Sequence, residues 1–427
     1  MNESGELSKM LGSAGADEGS VISLTIGDKE YEGVLMSHRD DIIVIKMKSG
    51  YNAGFRVKKG DSVKVIGKPA TKVHKTQEHK MKNGLPNIVL IGTGGTIGSK
   101  ADGGSMRPGL SAEHFLDIVP EVLDVANVKV RNIISVFSEN MNVDHWKEIA
   151  KATEEELNNG AAGVVISHGT DTMGYTAAAL SFMLKEISGP VVLTGSQRPT
   201  DRPSSDAPGN IMASVRFCAS SKAAGVYVVM HDTMNDDSYA VHRGTRVRKM
   251  HTSRRDAFRS VNTVPVAHID ASGKITFKDD ITAASKRTAA YTDMEKRVTL
   301  LQFYPGMDPA LFKDVIMDSK GIVVAGTGLG HVSNEMASLF GKAIGKGAVV
   351  VMTSQCMNGP LGMDVYDTGR ELRKIGIIPV SDMLPETAYV KLMWALANSK
   401  DTDEAKRIMN TRLSYETSDR RTVDVIW

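Results

Sequence analysis

Cysteine is scarce in this chain: its 427 residues hold two, Cys218 and Cys356. Both stand in apolar sequence, which predicts reduced core thiols of a cytosolic protein rather than a disulfide framework. Neither sign of charge is in excess, because 52 Lys and Arg meet 50 Asp and Glu for a net charge of +2. No global field therefore draws the chain toward nucleic acid or a membrane surface. Long apolar runs are also missing. Those present reach only strand length, too short for a membrane span. Residues 1–20 are polar and rich in small side chains, without the apolar stretch of a signal peptide. No Cys/His cluster has zinc spacing and no acidic loop has calcium spacing. These absences predict a cytoplasmic protein whose chemistry uses no metal of its own.

What is present is enough hydrophobic sequence, 41% of residues, for two or three domains with real cores. Residues 1–19 read as a disordered lead-in. Residues 20–67 carry short strands separated by turn signals such as Gly27-Asp28, Lys48-Ser49-Gly50 and Lys59-Gly60-Asp61. That pattern predicts a small β-barrel, and with no helix to cover a sheet face, closure is the expected protection of its edges. Residues 68–84, punctuated by Lys68, Lys72, Lys75, Lys80 and Lys82, read as an exposed linker. From Leu85 strand and helix alternate. Strands are predicted at 128–137, 163–166, 191–193 and 226–230, and helices at 144–158 and 172–187. A shorter helix is capped by Ser111 and stopped at Pro120. The alternation predicts a parallel sheet covered on both faces over 85–282. Residues 283–297 read as a second linker, and 298–427 as a smaller α/β domain.

Two threonine turns carry the chemistry. Asn87-Ile88-Val89-Leu90-Ile91 runs into Gly92-Thr93-Gly94-Gly95-Thr96-Ile97-Gly98, and the apolar run 163–166 leads into Ser167-His168-Gly169-Thr170-Asp171-Thr172-Met173. Ile97 stands where a dinucleotide fingerprint needs its third glycine, and Gly98-Ser99-Lys100 has the wrong order for a P-loop. Hydroxyls at the ends of two buried strands, one beside a carboxylate, instead suggest nucleophilic chemistry on a small polar substrate. Thr93 reads as a turn hydroxyl and His168 as a structural turn partner rather than a catalytic base. His231, His242 and His251 lack metal spacing and read as surface or packing residues.

Three more segments complete the set: Ser135-Val136-Phe137-Ser138-Glu139-Asn140-Met141, Thr194-Gly195-Ser196-Gln197-Arg198-Pro199, and Arg246-Val247-Arg248-Lys249-Met250-His251. Together with the threonine turns they closely resemble the bacterial-type L-asparaginase/glutaminase family, from about Leu85 to the C-terminus. The resemblance implies an asparaginase-like two-domain α/β fold, here preceded by the small N-terminal β-barrel. It implies that Thr96 is the primary nucleophile, that Thr170, Asp171 and Lys249 form an activating triad, and that Ser138, Glu139 and Asp171 bind the α-carboxylate and α-ammonium of the substrate. A zwitterionic head needs such an anion and donors. A lysine must be neutral to act as a base, whereas a neighbouring carboxylate favours its ammonium form. Either burial prevails or Lys249 acts by charge, and either threonine is the first to attack. His331, in Gly326-Thr327-Gly328-Leu329-Gly330-His331, departs from the asparagine common at that family loop.

Three features point away from a free-standing asparaginase. One is the β-rich segment before Leu85. Another is the lid Lys100-Ala101-Asp102-Gly103-Gly104-Ser105-Met106-Arg107-Pro108, which lacks the usual tyrosine. The last is the pair of runs from Thr194 to Asp206 and from Ser354 to Pro360, with Asp382-Met383-Leu384-Pro385-Glu386, which resemble the GatD branch of archaeal glutamyl-tRNA(Gln) amidotransferases. That branch implies release of ammonia from glutamine or asparagine for a GatE-like partner, which activates Glu-tRNA(Gln) with ATP and Mg²⁺. It implies no cofactor in this chain and a homodimer within a heterotetramer. The competing readings are a cytosolic L-asparaginase with an accessory barrel, and a tRNA-binding subunit with a vestigial asparaginase fold, suggested by the basic run Arg243, Arg246, Arg248, Arg254, Arg255 and Arg259.

Overall fold

The computed structural model describes residues 4–47, 52–67, 81–94, 99–102, 105–108, 116, 119–198 and 205–419. The chain divides into two units, 1–81 with 100–107 and 198–205, and the remainder.

In the first unit, strands β1 (Val21–Ile26), β2 (Lys29–Arg39), β3 (Ile42–Met47), β4 (Asn52–Arg56) and β5 (Ser62–Gly67) form an antiparallel sheet in the order β4-β3-β2-β1-β5. Among the described residues no ladder joins β4 to β5, so the expected closure into a barrel is not observed. The lead-in also differs from expectation: Ser4–Ala14 is a helix, α1. Leu7 and Leu11, one turn apart, are each 3% exposed and pack with Ile22, Leu24, Leu35, Ile43 and Ile45 of the sheet. Two leucines on one face suffice when a sheet supplies the apolar partner, so the helix covers a sheet face that was expected to have no helix over it.

The second unit begins with β6 (Asn87–Gly94). A two-stranded ribbon of β7 (Ser99–Asp102) and β8 (Ser105–Pro108) follows in the chain, most of it counted with the first unit. The second unit resumes with β9 (Asn127–Val136), β10 (Gly163–Ser167), β11 (Leu184–Lys185), β12 (Pro190–Thr194), β13 (Ala223–His231), β14 (Ser238–Arg243), β15 (Val247–Lys249), β16 (Phe258–Ser260), β17 (Ala267–Asp270), β18 (Ile275–Phe277), β19 (Thr282–Ala283) and β20 (Ala289–Ala290). The main sheet runs β18-β17-β14-β13-β12-β10-β6-β9. It is parallel from β9 to β13, as expected, and antiparallel from β13 to β18. Its covering helices are α2 (Val143–Asn158), α3 (Met173–Met183) and α4 (Ala207–Ser220). Strand alternation divides the core: Val89, Ile91, Val164, Ile166, Val191 and Leu193 face one apolar layer, while Ile88, Leu90, Val165 and Val192 face the other. Each side chain so buried contributes about 1.5–3 kcal/mol.

Local signals explain the boundaries. The side chain of Asn142 accepts from the amides of Asp144 and His145 and starts α2. Helix α3 stops at Met183, earlier than the predicted 187, because Leu184 and Lys185 leave it to pair with β20. The helix expected after Ser111 falls largely outside the described residues. Pro120, expected to end it, opens a 3-10 turn over Pro120–Asp124, where its missing N–H costs nothing.

A second sheet of four parallel strands, β21 (Val298–Gln302), β22 (Gly321–Gly326), β23 (Val349–Ser354) and β24 (Ile378–Pro379), carries α5 (Pro309–Asp318), α6 (Asn334–Gly345), α7 (Asp367–Lys374), α8 (Pro385–Ala397) and α9 (Thr402–Asn410). Val323, Val349 and Val351 join the first apolar layer of the main sheet through α8, which contributes Val390, Leu392 and Met393. Cys218 is buried as expected, with burial pushing its thiol far above the usual range, but Cys356 is exposed. The apolar run that suggested a core position ends with β23, and Cys356 lies on the turn beyond it. Among the described residues no helix is long and apolar enough to cross a membrane.

Leu11→Ala should cost the first unit about 2–5 kcal/mol. Hydrogen exchange should show faster exchange in β1 and β5 with the main sheet unchanged; unaltered protection in β1 and β5 would contradict the packing of α1.

Candidate active site

Strand order places the site before any side chain is considered. The chain leaves β6 for β9 on one side, then returns to β10 on the other, so β6 and β10 flank a point where the connections diverge. Ligands of open α/β sheets bind in the crevice beyond the carboxyl ends of such strands. Thr93 lies near the end of β6, Thr96 follows it in the chain, and the turn after β10 holds Thr170 and Asp171.

Two glycines let these loops close up. Gly94 has a φ of 93°, and a Cβ there would lie 2.6 Å from the Val136 carbonyl oxygen at the end of β9. A Cβ on Gly169 would lie 2.6 Å from Cβ of Ser138, so the turn after β10 rests directly on the loop after β9. Thr172 fixes that contact by donating its hydroxyl to the Ser138 carbonyl at 2.7 Å.

At this junction Lys249 Nζ donates to Thr170 Oγ1 at 2.8 Å and to Asp171 Oδ1 at 2.8 Å. Ser138 Oγ donates to Asp171 Oδ2 at 3.2 Å. Thr170 is 5% exposed, and the side chains of Lys249 and Asp171 are 14% and 70% exposed. The hydrogen bond from Lys249 holds the Asp171 carboxyl below its usual range, against partial desolvation and with the help of Ser138. Four of the six expected residues thus meet in one cluster. Glu139 is exposed in the single turn Ser138–Asn140 and is linked to the cluster through the chain. Thr96 lies in 95–98, outside the described residues. Thr93, expected as a turn hydroxyl, lies in β6 and donates to the Ser167 carbonyl at 2.7 Å.

Lys249 ends β15, which pairs with β16 so that Lys249 faces Phe258 across the ladder. The basic run around it is not a free cationic surface. Arg243 pairs with Asp279 at 2.9 Å, Arg246 with Asp382 at 3.1 Å, Arg255 with Asp236 at 2.9 Å, and Arg254 and Arg259 both with Asp256 at 2.8 and 2.6 Å. Arginines already engaged by carboxylates are poor phosphate ligands, which weighs against the tRNA-binding reading.

His168 is the structural turn partner the sequence suggested, but its partners and the other supports beneath the site were not foreseen. Trp146 Nε1 donates to Thr176 Oγ1 at 2.9 Å, the Thr176 hydroxyl donates to His168 Nε2 at 2.8 Å, and His168 Nδ1 donates to the Gly169 carbonyl at 2.7 Å. A carbonyl only accepts, so Nδ1 carries the hydrogen, and full burial keeps the imidazole neutral. Beyond β12, both oxygens of the buried Asp206 accept from Gln197 N at 3.1 and 3.0 Å, and Asn210 Nδ2 donates to the Gly195 carbonyl at 2.9 Å. His231 and His242 are buried packing residues, while His251 is exposed. The one available signal for Asp206 was its place at the end of the run that begins at Thr194.

Burial pushes His168 down to about 4 from an ordinary 6.5, with the Gly169 carbonyl pulling the other way. Between those values the unfolded chain binds the extra proton, so stability falls as pH falls from about 6.5 to about 4. His168→Gln should therefore show a smaller drop in melting temperature between pH 7 and 4.5 than the unsubstituted chain. Equal drops would contradict a buried neutral imidazole.

The comparisons with known proteins agree with this fold. Residues 87–283 match the family described as Asparaginase, N-terminal, residues 297–409 the Glutaminase/Asparaginase C-terminal domain, and residues 16–66 the GatD N-terminal domain. The glutamyl-tRNA(Gln) amidotransferase GatD chain of Pyrococcus furiosus is 47% identical over 424 residues, covering 96% of each chain. That of Metallosphaera sedula is 43% identical over 432 residues, covering 98% of this chain and 97% of its own. Among solved structures, the thermostable L-asparaginase from Thermococcus kodakarensis superposes with a TM-score of 0.71 at 31% identity, covering 78% of this chain and 100% of that one. With both halves of the asparaginase fold and the additional N-terminal domain present, this chain belongs to the GatD family of asparaginase-like glutamyl-tRNA(Gln) amidotransferase subunits.

Proposed function

We propose that this chain is the glutaminase component of a cytoplasmic tRNA-dependent amidotransferase, and that Thr96, Thr170, Asp171 and Lys249 carry its chemistry. The observation that supports this most is the 2.8 Å approach of Lys249 Nζ to both Thr170 and Asp171 at the sheet's switch point. A threonine Oγ attacks the side-chain carbonyl carbon of glutamine or asparagine, the hydroxyl proton passes to the amide nitrogen, the C–N bond breaks, and ammonia leaves. Water then hydrolyses the acyl-threonine ester and returns the hydroxyl. Lys249 donates to Thr170 Oγ1 and so stabilises the negative charge that grows there. The Asp171 carboxylate pairs with the substrate α-ammonium, and Ser138 and Glu139 complete the grip on the amino-acid head. The released ammonia serves a GatE-like partner that uses ATP and Mg²⁺ to convert Glu-tRNA(Gln) to Gln-tRNA(Gln). Two copies of this chain and two of the partner form the assembly, and this chain needs no cofactor.

The free-standing asparaginase reading accounts for the solved relatives but not for residues 16–66, which match the GatD N-terminal domain. Ammonia release should be slow for the chain alone and rise strongly with partner and charged tRNA. Equal rates under both conditions would favour the free-standing enzyme.

Thr96→Ala, Thr170→Ala, Asp171→Ala and Lys249→Ala should each remove most ammonia release, while the complex still amidates Glu-tRNA(Gln) from free ammonium. Failure with free ammonium as well would make these residues structural. Gly169→Ala should act similarly: its Cβ would collide with Ser138 and part the two loops. A folded Gly169→Ala variant with full glutaminase activity would rule out the need for that close approach.

A further inference from the structure

Lys249 is placed by a segment more than 160 residues away. Arg246, three residues before it, is 2% exposed, and Nε donates to the Tyr415 carbonyl at 2.8 Å. Its Nη2 donates to Ser418 Oγ at 2.9 Å, and Asp382 takes further bonds at 3.1 to 3.4 Å. Thr245 donates its hydroxyl to the Ser414 carbonyl at 2.7 Å and accepts at its own carbonyl from Thr387 Oγ1 at 2.9 Å. Both residues that lead into β15 are therefore held by residues 413–418. Strand β15 needs an external anchor: it is three residues long and, among the described residues, pairs with one strand, β16.

The segment is itself fixed from below. Lys391 of α8 and Glu416 have fully buried side chains 2.6 Å apart. Lys391 also donates to the carbonyls of Met409 at 3.2 Å and Thr411 at 2.6 Å, which saturates its ammonium. Glu416 accepts from Leu413 N at 3.0 Å and Ser414 N at 2.7 Å. Burial raises the Glu416 carboxyl, but Lys391 and these backbone amides more than offset it and hold it below its usual range. Replacing a buried pair by apolar side chains is often neutral for stability, and what a fully satisfied pair does impose is a defined geometry. Ser414 Oγ donates to the Ser181 carbonyl at 2.7 Å, near the end of α3, the helix that follows Thr170 and Asp171. One segment thus references both sides of the contact between Lys249 and Thr170.

We propose that residues 413–418 are a positioning strap for Lys249, with Thr245, Arg246 and Glu416 as positioning residues that touch no reacting atom. The proposal rests on the catalytic reading of Lys249 given above. Thr245→Val removes one hydroxyl without changing shape, and Glu416→Gln keeps volume while losing charge. Glutamine hydrolysis by the full chain assembled with its partner should show kcat reduced about tenfold or more in each, since a displacement near 1 Å can cost about a hundredfold. KM should stay within about twofold, and Thr245→Ser should restore kcat. In the Lys249→Ala background, Thr245→Val should cost no further rate, whereas its effect on melting temperature should be the same in both backgrounds. Folded strap variants with full kcat, or losses that persist in the Lys249→Ala background, would overturn the strap. Undiminished hydrolysis by Lys249→Ala alone would instead remove the reading beneath it.

Discussion

A single ammonium group, shared between a hydroxyl and a carboxylate, organises this molecule. Lys249 is mostly shielded from water and stays paired because Thr170 and Asp171 arrive from another part of the chain. A half-buried cation without such partners would be costly, so the arrangement holds only if every element presenting it is rigid. The sheet meets that demand on one side through the fully apolar β10. On the other, a short ribbon is pinned by Arg246, Asp382 and the 413–418 segment.

The supports beneath the site differ in kind from the site itself. His168, Thr176 and Trp146 form a neutral relay, each group donating to the next, which orients the Gly169 carbonyl without adding charge below Thr170. On the open face the Asp171 side chain is 70% exposed, its carboxylate held by Lys249. A protonated imidazole at His168 would put a cation in the turn that carries Thr170 and Asp171 and would need an acceptor where the Thr176 hydroxyl now donates. Burial of that ring therefore matters to the chemistry as well as to packing.

What could be read from the amino-acid order follows the range of the interactions involved. Strands β6, β10 and β12 are continuous apolar runs closed by glycine or threonine turns, so local sequence announces them, and the Thr170-Asp171 pair comes with them. Helix α1 was not legible, because Leu7 and Leu11 make a stripe only when a sheet lies beneath them. The antiparallel half of the main sheet was obscured by polar strands such as Ser238–Arg243, whose charged Arg243 is neutralised by Asp279 from a distant turn. Asp206 and Asp382 were marked only as members of longer runs and Glu416 not at all, since their partners lie elsewhere in the sequence. Ser138 and Lys249 could be assigned to one site only through the family resemblance; their meeting is a property of topology.

The central claim is that a threonine of this cluster carries the acyl group while Lys249 serves it. The most direct measurement is mass spectrometry of the assembled complex after exposure to an electrophilic glutamine analogue. A covalent adduct should map to the peptide bearing Thr96 or the one bearing Thr170, and it should be lost in Lys249→Ala. An adduct on any other residue, or undiminished labelling without Lys249, would contradict the account.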